Sequence, residues 1–121
     1  MWSFLSLSAA AALALATPAA LMEEDYAAWD PLPRSFPSTG GGGIVIGEYN
    51  PVLVGDRCVT RFTATEPNGT VHTNYALFEA VPTAGGGTLC VNGRWRGVEG
   101  GPSGTTPLRV FLKDGMVRRS P

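Results

Sequence analysis

The chain has 121 residues, with nine basic and ten acidic side chains and a formal net charge of −1. This length suits a single domain, and the absence of a basic excess argues against a nucleic-acid-binding protein. One histidine and two cysteines, without clustered carboxylates, match no known metal-ligand spacing, so we expect neither a metal nor a cofactor.

The first segment, residues 1–20, carries no charged side chain and ends in small residues. This pattern is typical of a cleaved secretory signal peptide. Residues 2–22 are also long enough to form an uncleaved membrane anchor. We therefore predict a periplasmic or secreted protein, and a membrane-anchored protein facing the exported side is the alternative.

The next segment, residues 21–43, includes the stretch WDPLPRSFPSTGGGG. Its prolines and four consecutive glycines predict an extended N-terminal arm that precedes the folded domain. Trp29 and Phe36 stand out because large aromatic side chains in an arm usually dock on a surface. We expect them to dock on the domain itself or on a partner protein.

The rest of the chain, residues 44–121, lacks helical periodicity and contains short β-branched runs between glycine, asparagine, aspartate and proline. These runs predict an all-β domain, an antiparallel meander of six to eight strands that forms a sandwich or an open barrel. The predicted strands are 44–49, 52–54, 57–66, 70–80, 88–92, 94–98, 108–113 and 116–119.

Four dipeptides join these runs and favour two-residue hairpin loops. They are Gly55-Asp56, Asn68-Gly69, Asn92-Gly93 and Asp114-Gly115.

These loops predict which residues face one another. A two-residue loop at 68–69 places Phe62 opposite Tyr75 and leaves His72 and Asn74 on a polar face. The other loops place Leu53 opposite Cys58, and Cys90 opposite Trp95. The predicted core therefore comprises Cys58, Cys90, Leu53, Phe62, Tyr75 and Trp95.

Cys58 and Cys90 are the two cysteines of the chain. An oxidising compartment would pair them, which agrees with the prediction of export. Closing this loop would stabilise the fold by about 3.7 kcal/mol on a chain-entropy argument. We therefore predict a Cys58–Cys90 disulfide.

The stretch at residues 93–109, GRWRGVEGGPSGTTPLR, is rich in glycine and arginine. It has no Lys-Ser or Lys-Thr pair and precedes a predicted strand, so it does not match a phosphate-binding loop. We interpret it mainly as a connection between strands. Arginines near it are candidates for binding an anion or a partner. They are Arg94, Arg96, Arg118 and Arg119.

Catalytic residues are not predicted. His72 is the only histidine, so a Ser-His-Asp triad would have to use it. Glu48 and Glu79 are among the carboxylates that glycoside chemistry would need, but no pair is indicated. The sequence Asn68-Gly69-Thr70 matches an N-glycosylation acceptor and coincides with a predicted turn.

These patterns together predict a non-catalytic, exported accessory module. Its partner would be another exported or envelope protein, or an anionic surface, rather than nucleic acid. A membrane-anchored accessory subunit is one alternative. A small hydrolase and a carrier with an apolar barrel interior are the others.

Overall fold

The computed structural model describes residues 25–120, which are nearly all β-structure. The predicted signal peptide or anchor at residues 1–20 lies outside the described residues. Within residues 25–120, no helix has the length and apolar character needed to cross a membrane. The described part contains ten strands: β1 (Asp30–Pro31), β2 (Phe36–Pro37), β3 (Val45–Gly47), β4 (Val52–Val54), β5 (Arg57–Thr65), β6 (Val71–Pro82), β7 (Thr88–Gly97), β8 (Ser103–Thr106), β9 (Val110–Lys113) and β10 (Met116–Arg119).

The strands form one antiparallel sheet in the order β1-β10-β9-β7-β6-β5-β3-β2, with β4 beside β5 and β8 beside β7. The sheet curls into a half-barrel, which confirms the predicted all-β class. The two edge strands, β1 and β2, are separated by only residues 32–35 of the arm. The arm therefore pairs with β10 through β1 and with β3 through β2. It covers backbone groups that β10 and β3 would otherwise leave unpaired.

The register between β5 and β6 differs from the prediction. Phe62 pairs with Asn74, not with Tyr75. The amide of Gly69 donates to the Glu66 carbonyl at 2.8 Å, and the amide of Glu66 donates to the Thr70 carbonyl at 2.9 Å. The loop thus has three residues, 67–69, because proline suits the second position of a type I turn and Gly69 accepts a φ of 91°.

Compared with the predicted register, this shift by one residue moves each side chain of β6 to the opposite face of the sheet. His72 and Asn74 lie on the concave face of the sheet, the face that carries the disulfide, and Tyr75 lies on the convex face with 44% exposure. Leu53 does pair with Cys58, as predicted, but it is 50% exposed on the outlying strand β4. The prediction that Leu53 and Tyr75 belong to the core is therefore wrong.

Asn92-Gly93 is a β-bulge within one continuous strand, β7, and not the predicted hairpin loop. The pairing changes from Leu77–Arg94 to Glu79–Val91, and Asn92 has a φ of 53°. The extra residue changes the alternation of side chains along the strand. The bulge thereby brings Cys90 and Trp95 to the same face, as predicted, although they do not pair with each other.

The region predicted to be a connection contains an additional strand, β8, which pairs with residues 93–96 of β7. Its sequence, SGTT, lacks the apolar alternation that would have indicated a strand. The hairpins at 54–57 and 113–116 form with two-residue loops, as predicted.

The disulfide between Cys58 and Cys90 is present and fully buried. It joins β5 to β7 across the intervening strand β6, and its Cα atoms are 6.0 Å apart. In a flat sheet, strands on either side of a third lie roughly 9–10 Å apart. The sheet must therefore curl sharply beneath the disulfide. The core around it comprises Tyr49, Phe62, Ala76, Phe78 and Val110.

We expect Gly93→Ala to lower the free energy of unfolding by about 2 kcal/mol, because an added methyl overfills this part of the core. A Cβ at Gly93 would lie 2.5 Å from Cε2 of Phe78 and 2.6 Å from Cγ2 of Thr106. Denaturant unfolding would measure the change. Gly40→Ala is the matched control, because its Cβ would meet nothing closer than 3.7 Å. Equal stability of the two variants would contradict this account of the bulge.

Candidate functional site

The concave face of the half-barrel encloses an open pocket of about 850 Å³. The disulfide and Phe78 fill one end of the concave face, whereas the other end remains open. Most residues that line the pocket are apolar or aromatic. The principal ones are Phe36, Ile44, Ile46, Tyr49, Phe62, Ala64, Ala76, Trp95 and Leu108.

Three aromatic side chains form one wall. The ring centroid of Tyr49 lies 5.4 Å from that of Phe36 and 5.4 Å from that of Phe62. Trp95 projects from β7, and its indole packs against Gly104, where a Cβ would lie 3.0 Å from Nε1. Ala64 and Ala76 are the small residues on β5 and β6 that help to keep this space open.

Two buried polar side chains lie within this apolar wall, and Ser38, Thr39, Thr105, Thr106 and Ser120 also line the pocket. Asn74 is only 6% exposed, and no hydrogen bond to its carboxamide is recorded among residues 25–120. Tyr49 is also 6% exposed, and burial raises the pKa of its hydroxyl well above the usual value, so the group stays neutral. In contrast, the buried Thr60 hydroxyl accepts from the Asn50 amide and donates to the Arg61 carbonyl.

Ionisable side chains occur near the rim of the pocket, in two pairs. Asp30 of β1 and Arg119 of β10 both line the pocket and are direct cross-strand partners. The Arg119 guanidinium also lies 5.7 Å from the centre of the Phe36 ring. His72 is hydrogen-bonded through Nε2 to Glu66 at 2.5 Å.

The four candidate arginines are divided between the two faces of the sheet. Arg119 lies on the concave face, because it pairs with Val110, which pairs in turn with Cys90. Arg94, Arg96 and Arg118 lie on the convex face, and Arg118 donates to the carbonyl of Ala27. The geometry therefore does not gather the four into one anion-binding patch.

The aromatic residues of the arm both contact the domain itself. Trp29 is buried, with 8% exposure, and its ring lies edge-on to Tyr26 at 4.8 Å. Tyr26 stacks on Phe111 at 4.4 Å on the convex face, and the Arg109 guanidinium lies 5.4 Å from the Trp29 ring. Phe36 forms part of the pocket wall on the concave face, a role that the sequence did not indicate.

The residues considered for catalysis do not converge. His72 lies at the pocket, whereas Glu79 is exposed on the opposite face of the same strand and Glu48 is exposed after β3. Across residues 25–120, no group of three or more His, Cys, Asp or Glu side chains could hold a metal ion. The Asn68 side chain accepts a hydrogen bond from the Thr70 amide at 2.9 Å, and its glycosylation remains a prediction.

Pocket-lining residues such as Asn74 and Tyr49 were not singled out from the sequence as binding residues. One signal could have found Asn74, since a proline before Asn68-Gly69 favours the three-residue loop that turns Asn74 inward.

No protein-family model, curated protein or solved structure matches this chain. Its class therefore rests on the fold and the pocket alone: a small, disulfide-linked β half-barrel with an open, aromatic-lined cavity on its concave face.

Proposed function

We propose that this protein is a non-catalytic binding domain that holds a small, mainly apolar ligand in its concave pocket. The pocket itself carries the proposal. Its volume of about 850 Å³ falls in the range typical of small-molecule sites. Its lining combines aromatic and aliphatic walls with polar side chains, as such sites do.

Energetics support the same proposal. Aromatic side chains left facing water on a concave surface forgo roughly 25 cal/mol of stabilisation for each Å² of apolar area. An apolar ligand would recover this free energy by covering Phe36 and Trp95, which line the cavity and are partly exposed. The carrier that was a minor alternative from the sequence thus becomes the leading hypothesis.

Export remains part of the proposal. The Cys58–Cys90 disulfide is compatible with an exported location, because disulfides persist mainly in oxidising compartments. A periplasmic or secreted protein would meet small apolar molecules that need a soluble carrier.

Binding of another exported or envelope protein is a second candidate function. Strand β4 supports it, because Val52, Leu53 and Val54 are 48%, 50% and 59% exposed. Contiguous exposed apolar side chains often mark a protein contact.

Substitution of Ala64 by phenylalanine tests the pocket. In the full chain, we expect the neutral dye N-phenyl-1-naphthylamine to bind with a rise in fluorescence. Ala64→Phe should weaken this binding at least about tenfold, because the added ring occupies ligand space and tenfold corresponds to only 1.4 kcal/mol. Fluorescence titration measures the affinity, and circular dichroism checks that each variant is folded.

Leu53→Ala is the matched control, because it removes an exposed apolar side chain on β4 and leaves the pocket unchanged. We expect it to bind the dye as the wild type does. Failure of the wild type to bind, or loss of binding in Leu53→Ala but not in Ala64→Phe, would refute the proposal.

A further inference from the structure

We infer that the ligand is an uncharged molecule with a carbonyl or hydroxyl group on its apolar body, and that the Asn74 carboxamide binds this group. The inference rests on the proposed function, since it names the class of ligand that the concave pocket would select.

The position of Asn74 provides the first argument. Asn74 is 6% exposed and lines the pocket opposite Phe62 of β5, and its carboxamide has no hydrogen bond to another group within residues 25–120. Within residues 25–120, the one fully buried side-chain N or O atom without a hydrogen-bond partner is Thr83 Oγ1, so the Asn74 carboxamide is not sealed off and is reached from the pocket. Because a carboxamide both donates and accepts, a carbonyl or a hydroxyl in the cavity can satisfy it.

The contrast with Thr60 strengthens this argument. Thr60 is the next inward-facing residue on β5 and is 2% exposed, and its hydroxyl both donates to and accepts from backbone groups. The Thr60 hydroxyl is therefore engaged within the protein, whereas the Asn74 carboxamide at the pocket has no hydrogen bond to another group of residues 25–120 and is available to a ligand.

The charges around the pocket provide the second argument. Asp30 and Arg119 are the lining residues with full charges, and they are cross-strand partners of opposite sign. A carboxylate placed near Arg119 would therefore also lie near Asp30. Transfer of an ionised group into an apolar cavity without a dedicated partner is costly. An uncharged ligand avoids this cost.

Three probes that share one ring system can test the inference. They are 2-naphthol, 2-methylnaphthalene and 2-naphthoate, titrated by fluorescence against the full chain at pH 7. We expect 2-naphthol to bind about five- to tenfold more tightly than 2-methylnaphthalene, the advantage of one net hydrogen bond. We expect 2-naphthoate to bind most weakly.

The Asn74→Leu variant should abolish this preference, with 2-naphthol and 2-methylnaphthalene binding within about twofold of each other. Thr60→Val is the control, because it removes a buried hydroxyl outside the pocket. It should lower stability without changing the ratio of the two affinities. That ratio is a readout that a purely structural role of Asn74 would not move.

The outcomes separate the two proposals. If none of the probes binds to the wild type, the proposed function fails together with the inference. If the probes bind but 2-naphthol has no advantage, or keeps it in Asn74→Leu, only the inference is overturned. Tightest binding of 2-naphthoate would also overturn it and would indicate an anionic ligand held by Arg119.

Discussion

Reduction of the Cys58–Cys90 disulfide is expected to lower the free energy of unfolding by about 3–4 kcal/mol. The two residues are 32 positions apart, and a cross-link over a loop of that length restricts the unfolded chain by about 3.7 kcal/mol. Small domains have about 5–15 kcal/mol of stability in total. Thermal unfolding with and without reductant should therefore show a large fall in Tm.

The same reduction should weaken binding in the pocket. The disulfide draws β5 and β7 to a Cα separation of 6.0 Å over β6, and this closeness requires the curvature that forms the concave face. Without the disulfide, we expect the sheet to flatten. The molecules that remain folded should then bind the dye with lower affinity. The double variant Cys58→Ala/Cys90→Ala is the control, since reductant should leave its Tm unchanged. An unaltered Tm and affinity on reduction of the wild type would contradict this role for the disulfide.

Replacement of Trp29 by alanine is expected to cost about 3 kcal/mol of stability. Its indole is 92% buried against Tyr26, which stacks on Phe111, so the change opens a cavity in the convex cluster. It also removes the contact with the Arg109 guanidinium. Denaturant unfolding would measure the loss of stability. We also expect the substitution to detach the beginning of the arm from the sheet.

Trp95→Ala is the matched control for this variant. Trp95 is half-buried and lines the pocket on the concave face, whereas Trp29 lies in the cluster on the convex face. We expect Trp95→Ala to lose dye affinity with a smaller loss of stability, and Trp29→Ala to keep dye affinity while folded. The reverse assignment of the two losses would show that the convex cluster, and not the concave pocket, holds the ligand.

The successful predictions needed either a local turn preference or the composition of the chain. Gly55-Asp56 and Asp114-Gly115 each determine a hairpin, because the conformational preferences of two residues suffice for such a turn. The Cys58–Cys90 disulfide followed from a count of cysteines and the predicted compartment. The all-β class followed from the short β-branched runs and the lack of helical periodicity, without any knowledge of how the sheet closes.

The failures arose where one local preference competed with another. Pro67 favours a type I turn, and this preference prevailed over the two-residue loop that Asn68-Gly69 would form alone. At Asn92-Gly93, the need to accommodate the Phe78 ring against a residue without a side chain favoured a bulge over a turn. The three-residue loop exchanged the faces of β6 and so decided that Asn74 and not Tyr75 faces inward, whereas the bulge left Cys90 and Trp95 on the predicted face.

The sequence by itself therefore determined an all-β, disulfide-linked domain with an aromatic arm before it. Only the tertiary structure decided that the arm crosses from β10 to β3 and that the concave face remains open as a pocket. The physical reason is separation along the chain. Phe36, Asn74, Trp95 and Arg119 meet because the whole sheet curls, and that curvature depends on contacts between distant strands rather than on the preferences of neighbouring residues.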